Sequence, residues 1–170
     1  MTSISENLYR RFSDESTRWQ FSPNIRTLPE TTFTGDYLLP LVKNFLASLD
    51  HRSLMLRADG GVVPLPLSYA GFTFVPDLEV REFEKKLLAV EVKFLRDADP
   101  SGSLVKAIGQ AVIYRALAFE FTYMLVVDCR TSAESEWSGR HTGSLELPVG
   151  TGATVFGLQG ESVQAIYRRC

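Results

Sequence analysis

The sequence predicts an α/β fold: a mixed central sheet flanked by helices. Three features carry that expectation. Residues 72–94, FTFVPDLEVREFEKKLLAVEVKF, alternate apolar and polar in two runs around a charged turn, which reads as two strands of a hairpin. Residues 38–49 and 103–118 repeat their apolar positions at helical spacing. Phe121 to Asp128, FTYMLVVD, is a mostly apolar run that follows the second helix. A strand buried on both faces reads this way, and a strand after a helix predicts a parallel crossover.

Each element has a local reason. Near the N-terminus, Ser5 is a candidate cap for a short helix that packs through Leu8 and Phe12, with Trp19 beyond it. Arg10, Arg11 and Arg18 make this segment basic, and a solvated first helix is preferred over a DNA-backbone contact or a dimer arm. In TTFTGDYLLPLVKNFLASLD, Leu38, Leu41, Val42, Phe45, Leu46 and Leu49 form one stripe. Proline is welcome in the first turn of a helix and costly deeper in. Pro40 therefore places the regular start near Leu39, with residues 34–37 as the approach.

A short strand at SLMLR, a tight turn at Ala58-Asp59-Gly60-Gly61, and an edge strand or extended loop at VVPLPLSY come next. In the central hairpin, Leu88, Val90, Val92 and Phe94 share one face of the second strand, and Ala89, Glu91, Lys93 and Leu95 the other. In the first strand Phe72, Phe74, Leu78 and Val80 oppose Thr73, Val75, Asp77 and Glu79. If the hairpin reverses about Glu84, Asp77 lies directly across from Glu91. Opposed Cβ atoms on one face of such a pair are about 5 Å apart. Two carboxylates that close repel, and one stays protonated unless a cation sits between them. Lys93 points to the same face. Two acids and a lysine suit a hard divalent ion such as Mg²⁺, which takes one or two carboxylates plus water and phosphate oxygen.

After the loop RDADPSG, Ser101 or Ser103 is expected to cap a helix running to about Ala118. Leu104, Ile108, Ala111 and Val112 are its expected core face, and Lys106, Gln110 and Tyr114 a polar stripe four residues apart. Arg140 and His141 lie in a polar loop after Cys129, where a solvated histidine is the commoner outcome than a nucleic-acid contact. Two runs in 145–170, GATVFGL and SVQAIYR, read as strands that extend the sheet.

Pro76-Asp77, a gap of thirteen residues, and Glu91-Val92-Lys93 on a hairpin resemble the active site of the PD-(D/E)XK nuclease superfamily. Gln110 and Tyr114 resemble the Gln-x-x-x-Tyr element of its RecB-like members. The resemblance implies a restriction endonuclease-like αβββαβ core over about 34–128 and a metal-dependent nuclease acting on DNA. It implies Asp77, Glu91 and the Val92 carbonyl as ligands of Mg²⁺, with Mn²⁺ as a substitute, and Lys93 as the residue that orients or deprotonates the attacking water. Gln110 would support them from behind. The helix before the sheet often supplies another acid. Glu30 and Asp36 are the candidates, and Asp36 is preferred because it is nearer the helix.

The bounds agree with one domain over 1–170. The 45% hydrophobic and 22% charged composition supports a sizeable core, and a net charge of −2 counts against coating nucleic acid by bulk charge. Two cysteines give no disulfide framework or zinc pattern, and Cys129 is expected to be a small buried residue. No signal-like or membrane-length apolar run occurs, so a soluble cytoplasmic protein, without membrane partners and as a possible homodimer, is expected. Two other readings compete with the nuclease. One is an inactive module of the same fold that binds nucleic acid or protein. The other is an ordinary surface charge cluster on an unrelated α/β protein, for which directly opposed acids would be a poor choice.

Overall fold

The computed structural model describes residues 3–49, 51–58, 62–131 and 147–170. The expected turn at 59–61 and the candidates Arg140 and His141 fall outside them. The fold is mixed α/β. Among the described residues a seven-stranded sheet has the order β1-β9-β8-β7-β6-β5-β2. Its strands are β1 (Gln20–Phe21), β2 (Leu54–Ala58), β5 (Leu78–Glu82), β6 (Lys85–Leu95), β7 (Phe121–Asp128), β8 (Thr151–Gln159) and β9 (Ser162–Arg169). The strands β3 (Leu67–Tyr69) and β4 (Phe72–Phe74) form a separate two-stranded sheet.

Strand β6 is the middle of the molecule. It runs parallel to β7 on one side and antiparallel to β5 on the other. The parallel crossover passes through α4 (Pro100–Leu117), and β8 continues the parallel set. Both C-terminal runs are strands, as their composition indicated. From the end of the helix at 39–47 to β7, with the β3–β4 hairpin set aside, the chain order is helix, three strands, helix, strand.

The main core lies on the face of β6 that carries Leu88, Val90, Val92 and Phe94. The helix α1 (Ile4–Ser16) covers it with Leu8 and Phe12, joined by Trp19, Val42 and Phe45. Its opposite face packs Leu95 against Ala107 and Ala111 of α4, and Ala89 against Tyr114 and Phe119. No helix among the described residues is long and apolar enough to cross a membrane.

Several local expectations are corrected. The run FTFVPDLEV is not one strand: it breaks at Val75-Pro76-Asp77. Proline has no N–H for a ladder, so the strand restarts after it. Phe72–Phe74 then pairs with β3, which leaves Phe72 67% exposed. The regular helix ahead of the sheet does start at Leu39, but a helical path leads into it from Glu30. Together they run as α2 (Glu30–Thr32), a π-helical segment (Phe33–Leu38) and α3 (Leu39–Ala47). A proline ring collides with the carbonyl four residues back, and a wider π turn relieves that collision. The Leu39 N–H accordingly bonds Thr34 O, five residues back.

The caps also differ. Ser3, not Ser5, caps α1, while Ser5 is buried and its hydroxyl donates to the Glu120 carboxylate. Asp99, followed by Pro100, caps α4 in place of Ser101 or Ser103, because its carboxylate accepts the Gly102 N–H. Val112 of α4 is exposed and Ala107 takes the inward position. Cys129 is half-buried, and its thiol donates to Arg26 O.

Candidate functional site

The site is made by a difference in strand length. Strand β6 has eleven residues and β5 has five. Their antiparallel register pairs Leu78 with Val90, Glu79 with Ala89 and Val80 with Leu88. A bulge between Val80 and Arg81 then shifts the pairing by one and closes the hairpin through Phe83-Glu84. The lower register is the one the sequence indicated, and it puts Asp77, just ahead of β5, across from Glu91. Among the described residues, the β5 side of β6 beyond Val90 has no strand neighbour.

Carboxylates take over that edge. The Val92 N–H donates to Asp77 Oδ2 at 2.7 Å, and the Phe94 N–H donates to Glu30 Oε1 at 2.9 Å. A strand residue presents its N–H and C=O to the same edge. The Val92 carbonyl therefore points to the same vacated edge as the Asp77 carboxylate.

The acid that reaches this edge from the preceding helix is Glu30. Its Oε2 also accepts from Lys93 Nζ at 3.0 Å. Asp36, the acid preferred from sequence, is exposed in the π-helical segment. Proximity to the regular helix misled: α3 starts at Leu39 as Pro40 suggested, but the helical path into it begins at Glu30, which sits in its first turn.

Glu91 is 4% exposed and lies 3.8 Å from the Lys93 ammonium. Burial, and then the Asp77 charge, push its carboxyl up to about 8. Lys93 shows the opposite balance. Burial acts against its charge, but the hydrogen bond and charge of Glu30, with Glu91 and Asp77, outweigh it and hold the ammonium above the ordinary lysine range.

The helix α4 reaches the pair from above. Tyr114 is fully buried, and its hydroxyl lies 3.1 Å from Glu91 Oε2 and 3.0 Å from Val75 O. One phenolic proton serves one acceptor at a time. It turns to Glu91 when that acid is ionised and to Val75 O when Glu91 carries its own proton. Burial and the Glu91 charge raise the Tyr114 pKa, so the phenol remains a donor. Gln110 Nε2 donates to the Tyr114 oxygen at 3.5 Å, and its Oε1 is buried without a partner among the described residues. Tyr114 thus belongs to the core and to the site at once. Lys106, Gln110 and Ile113 of α4, with Thr73 and Phe74 of β4, line a cleft of about 430 Å³ beside it.

The donor set suits a hard divalent ion. A buried acid pushed up by its facing carboxylate is relieved when a cation enters between them. Two carboxylates and one carbonyl leave positions for water and phosphate oxygen, as Mg²⁺ requires. Among the described residues no group of three or more His, Cys, Asp or Glu side chains forms a metal site by itself.

A second charge cluster on the same strand was not anticipated. Glu79 is fully buried and bonds Arg81 at 2.8 Å, with Arg57 of β2 at 3.5 Å. The signal was present as Asp77, Glu79 and Arg81 at alternating positions, which places all three on one face.

Compared with known proteins, the chain matches no family model, no curated protein and no solved structure.

Proposed function

We propose that this chain is a metal-dependent nuclease of the PD-(D/E)XK kind, with a restriction endonuclease-like arrangement of α3, β2, β5, β6, α4 and β7, and that it hydrolyses phosphodiester bonds in DNA. The observation that supports this most is the convergence on one vacated strand edge: Asp77 across from Glu91, and Lys93 held by Glu30. Asp77, Glu91 and the Val92 carbonyl would hold Mg²⁺, or Mn²⁺ in its place. Such an ion supplies acidity to a water and neutralises charge on the phosphate and the leaving oxygen.

The residues divide the remaining work. Lys93, kept protonated by Glu30, presents an ammonium to the phosphate and orients the attacking water. The same protonation counts against Lys93 as general base in the metal-free protein. Glu30 fixes Lys93 in place. Tyr114 steadies Glu91, and Gln110 steadies Tyr114. In hydrolysis the water oxygen bonds to phosphorus as the bond from phosphorus to the leaving oxygen breaks. A cytoplasmic setting fits this reading, and cutting both strands of a duplex would call for a homodimer.

The alternative is an inactive module of the same fold that binds nucleic acid or protein. It draws on the bonds that Asp77 and Lys93 already make within the chain. The deciding experiment is cleavage of supercoiled plasmid and single-stranded DNA with Mg²⁺ or Mn²⁺, beside Lys93→Ala. Metal-dependent cutting that the variant lacks supports the nuclease. Equal inertness of both proteins, across metals and substrates, overturns it in favour of the binding module.

A further inference from the structure

The bonding of the β6 edge continues past Glu30. Arg96, just after the strand, donates from Nη1 to Arg26 O at 2.8 Å and from Nη2 to Leu28 O at 2.7 Å. Its guanidinium also lies over the Phe94 ring, 5.2 Å from the centroid. Arg26, in the 3-10 helix Pro23–Thr27, donates from Nη2 to Cys129 O, and its Nε is buried without a partner among the described residues. Two guanidiniums from distant parts of the chain are thus brought together and held in place.

They border a cleft of about 340 Å³ lined by Pro23, Arg26, Thr27, Arg96, Asp97 and Cys129. Among the described residues one carboxylate faces two guanidiniums there, so that lining is net positive. The chain as a whole carries −2, so a positive concavity is a local departure from its charge. Arg96 is three residues beyond Lys93, about 10 Å of extended chain. The odd step turns its side chain to the Phe94 face. The segment it bonds at Arg26 and Leu28 leads to Glu30, the partner of Lys93. A guanidinium carries five N–H groups, so Arg26 and Arg96 each keep donors and their full charge beyond the backbone bonds that fix them, and both attract a phosphate.

We propose that this cleft holds a phosphate of the bound nucleic-acid strand, a neighbour of the phosphate presented to Asp77 and Glu91. The identity of the strand rests on the nuclease reading. The cleft would fix the register of the strand without reading its bases, as backbone contacts do.

Two measurements test this. The first is fluorescence anisotropy of single-stranded DNA binding in EDTA, between about 50 and about 200 mM salt. Arg26→Gln and Arg96→Gln should each flatten the dependence of log K on log salt by about one phosphate contact, whereas Arg96→Lys, which keeps the charge, should retain the wild-type slope. The proposal is overturned if Arg96→Lys and Arg96→Gln flatten the slope alike, because Arg96 is then only a clamp on the segment that carries Glu30. It is also overturned if no variant changes the slope, or if the wild type binds no DNA.

The second measurement needs no substitution. Inorganic phosphate should shift the amide resonances of Thr27, Asp97 and Cys129 saturably, beyond the effect of chloride at matched ionic strength. Absence of such shifts overturns the subsite. The two readings can fail separately. Flattened slopes and phosphate shifts in a protein that cuts nothing sink the catalysis and leave the subsite standing. Metal-dependent cutting with unchanged slopes does the reverse.

Discussion

Two charge clusters sit on one face of β5, two residues apart, and they are built on opposite balances. At Glu79 one acid meets two guanidiniums, Arg81 and Arg57, and the acid is fully buried. At Asp77 three acids, with Glu91 and Glu30, share one ammonium, Lys93. The first cluster has counter-charge in excess of its one acid, and Glu79 Oε2 and Arg81 Nη2 are buried there without a partner among the described residues. The second gathers more acids than ammonium groups, and Glu91 among them is 4% exposed. An acid bonded to guanidiniums of neighbouring strands ties those strands together, whereas acids crowded around a single ammonium ask for a cation. Sequence neighbours of the same residue type are thereby given different work.

The largest expected effect falls on activity at the second cluster. Lys93→Ala should reduce the single-turnover cleavage rate by about 10²–10⁴-fold, with little change in thermal stability. Asp77→Asn should act likewise. A loss of folding in place of activity would erase the distinction between the clusters.

The reverse pattern is expected at Glu79. Replacing it with alanine leaves two guanidiniums without their acid, a change that costs about 3–5 kcal/mol in comparable buried pairs. Chemical denaturation of Glu79→Ala should show that loss. Lys93→Ala, measured beside it, should not.

A pH series sharpens the comparison. Glu91 is pushed up from 4.5 to about 8, first by burial and then by Asp77, so the fold favours its neutral form. That contribution is complete below the ordinary carboxyl value and is lost as pH rises through about 8. The metal-free protein should therefore lose stability between pH 4.5 and about 8, by a few kcal/mol at most. Glu91→Gln should flatten this profile, and Mg²⁺ should restore stability to the wild type at high pH but not to the variant. Thermal melts across that range, with and without metal, read all three effects.

Tyr114→Phe removes one buried hydroxyl and should cost about 1 kcal/mol. It also removes a hydrogen bond that lowers the Glu91 pKa, so the inflection of the pH series should move upward. The smallest change touches neither cluster. Phe83 holds a φ of +52° in the β5–β6 turn and is 71% exposed. A side chain in that region costs about 1–2 kcal/mol, and asparagine tolerates it better. Phe83→Asn should therefore raise stability by about 1 kcal/mol in chemical denaturation and leave the activity alone.

Much of this was legible in the residues themselves. Alternation placed Leu88 to Leu95 on their faces, because the side-chain period of a strand is two whatever surrounds it. The continuous apolar run at 121–128 pointed to a doubly covered parallel strand. The opposition of Asp77 and Glu91 followed from counting through a hairpin. The count about Glu84 held because the bulge at Val80/Arg81 moves the pairing by one: the turn pairs Glu82 with Lys85, and that register carried on unshifted would set Asp77 against Val90.

What the chain order could not disclose were contacts set by where elements stop. Glu30 reaches Phe94 N and Lys93 only because β5 begins no earlier than Leu78 and leaves the β6 edge open. The π segment before Pro40 joins α3 to an earlier turn that carries Glu30, and the propensity rule that placed the regular start at Leu39 says nothing of that turn. Glu79, Arg81 and Arg57 met through a register between β2 and β5, strands that lie about twenty residues apart in the sequence. Periodicity and hairpin register are local and are written in the order of residues. The partner of a buried charge, and the edge a strand leaves open, depend on the lengths and packing of elements far apart in the chain. Only the folded sheet decided those.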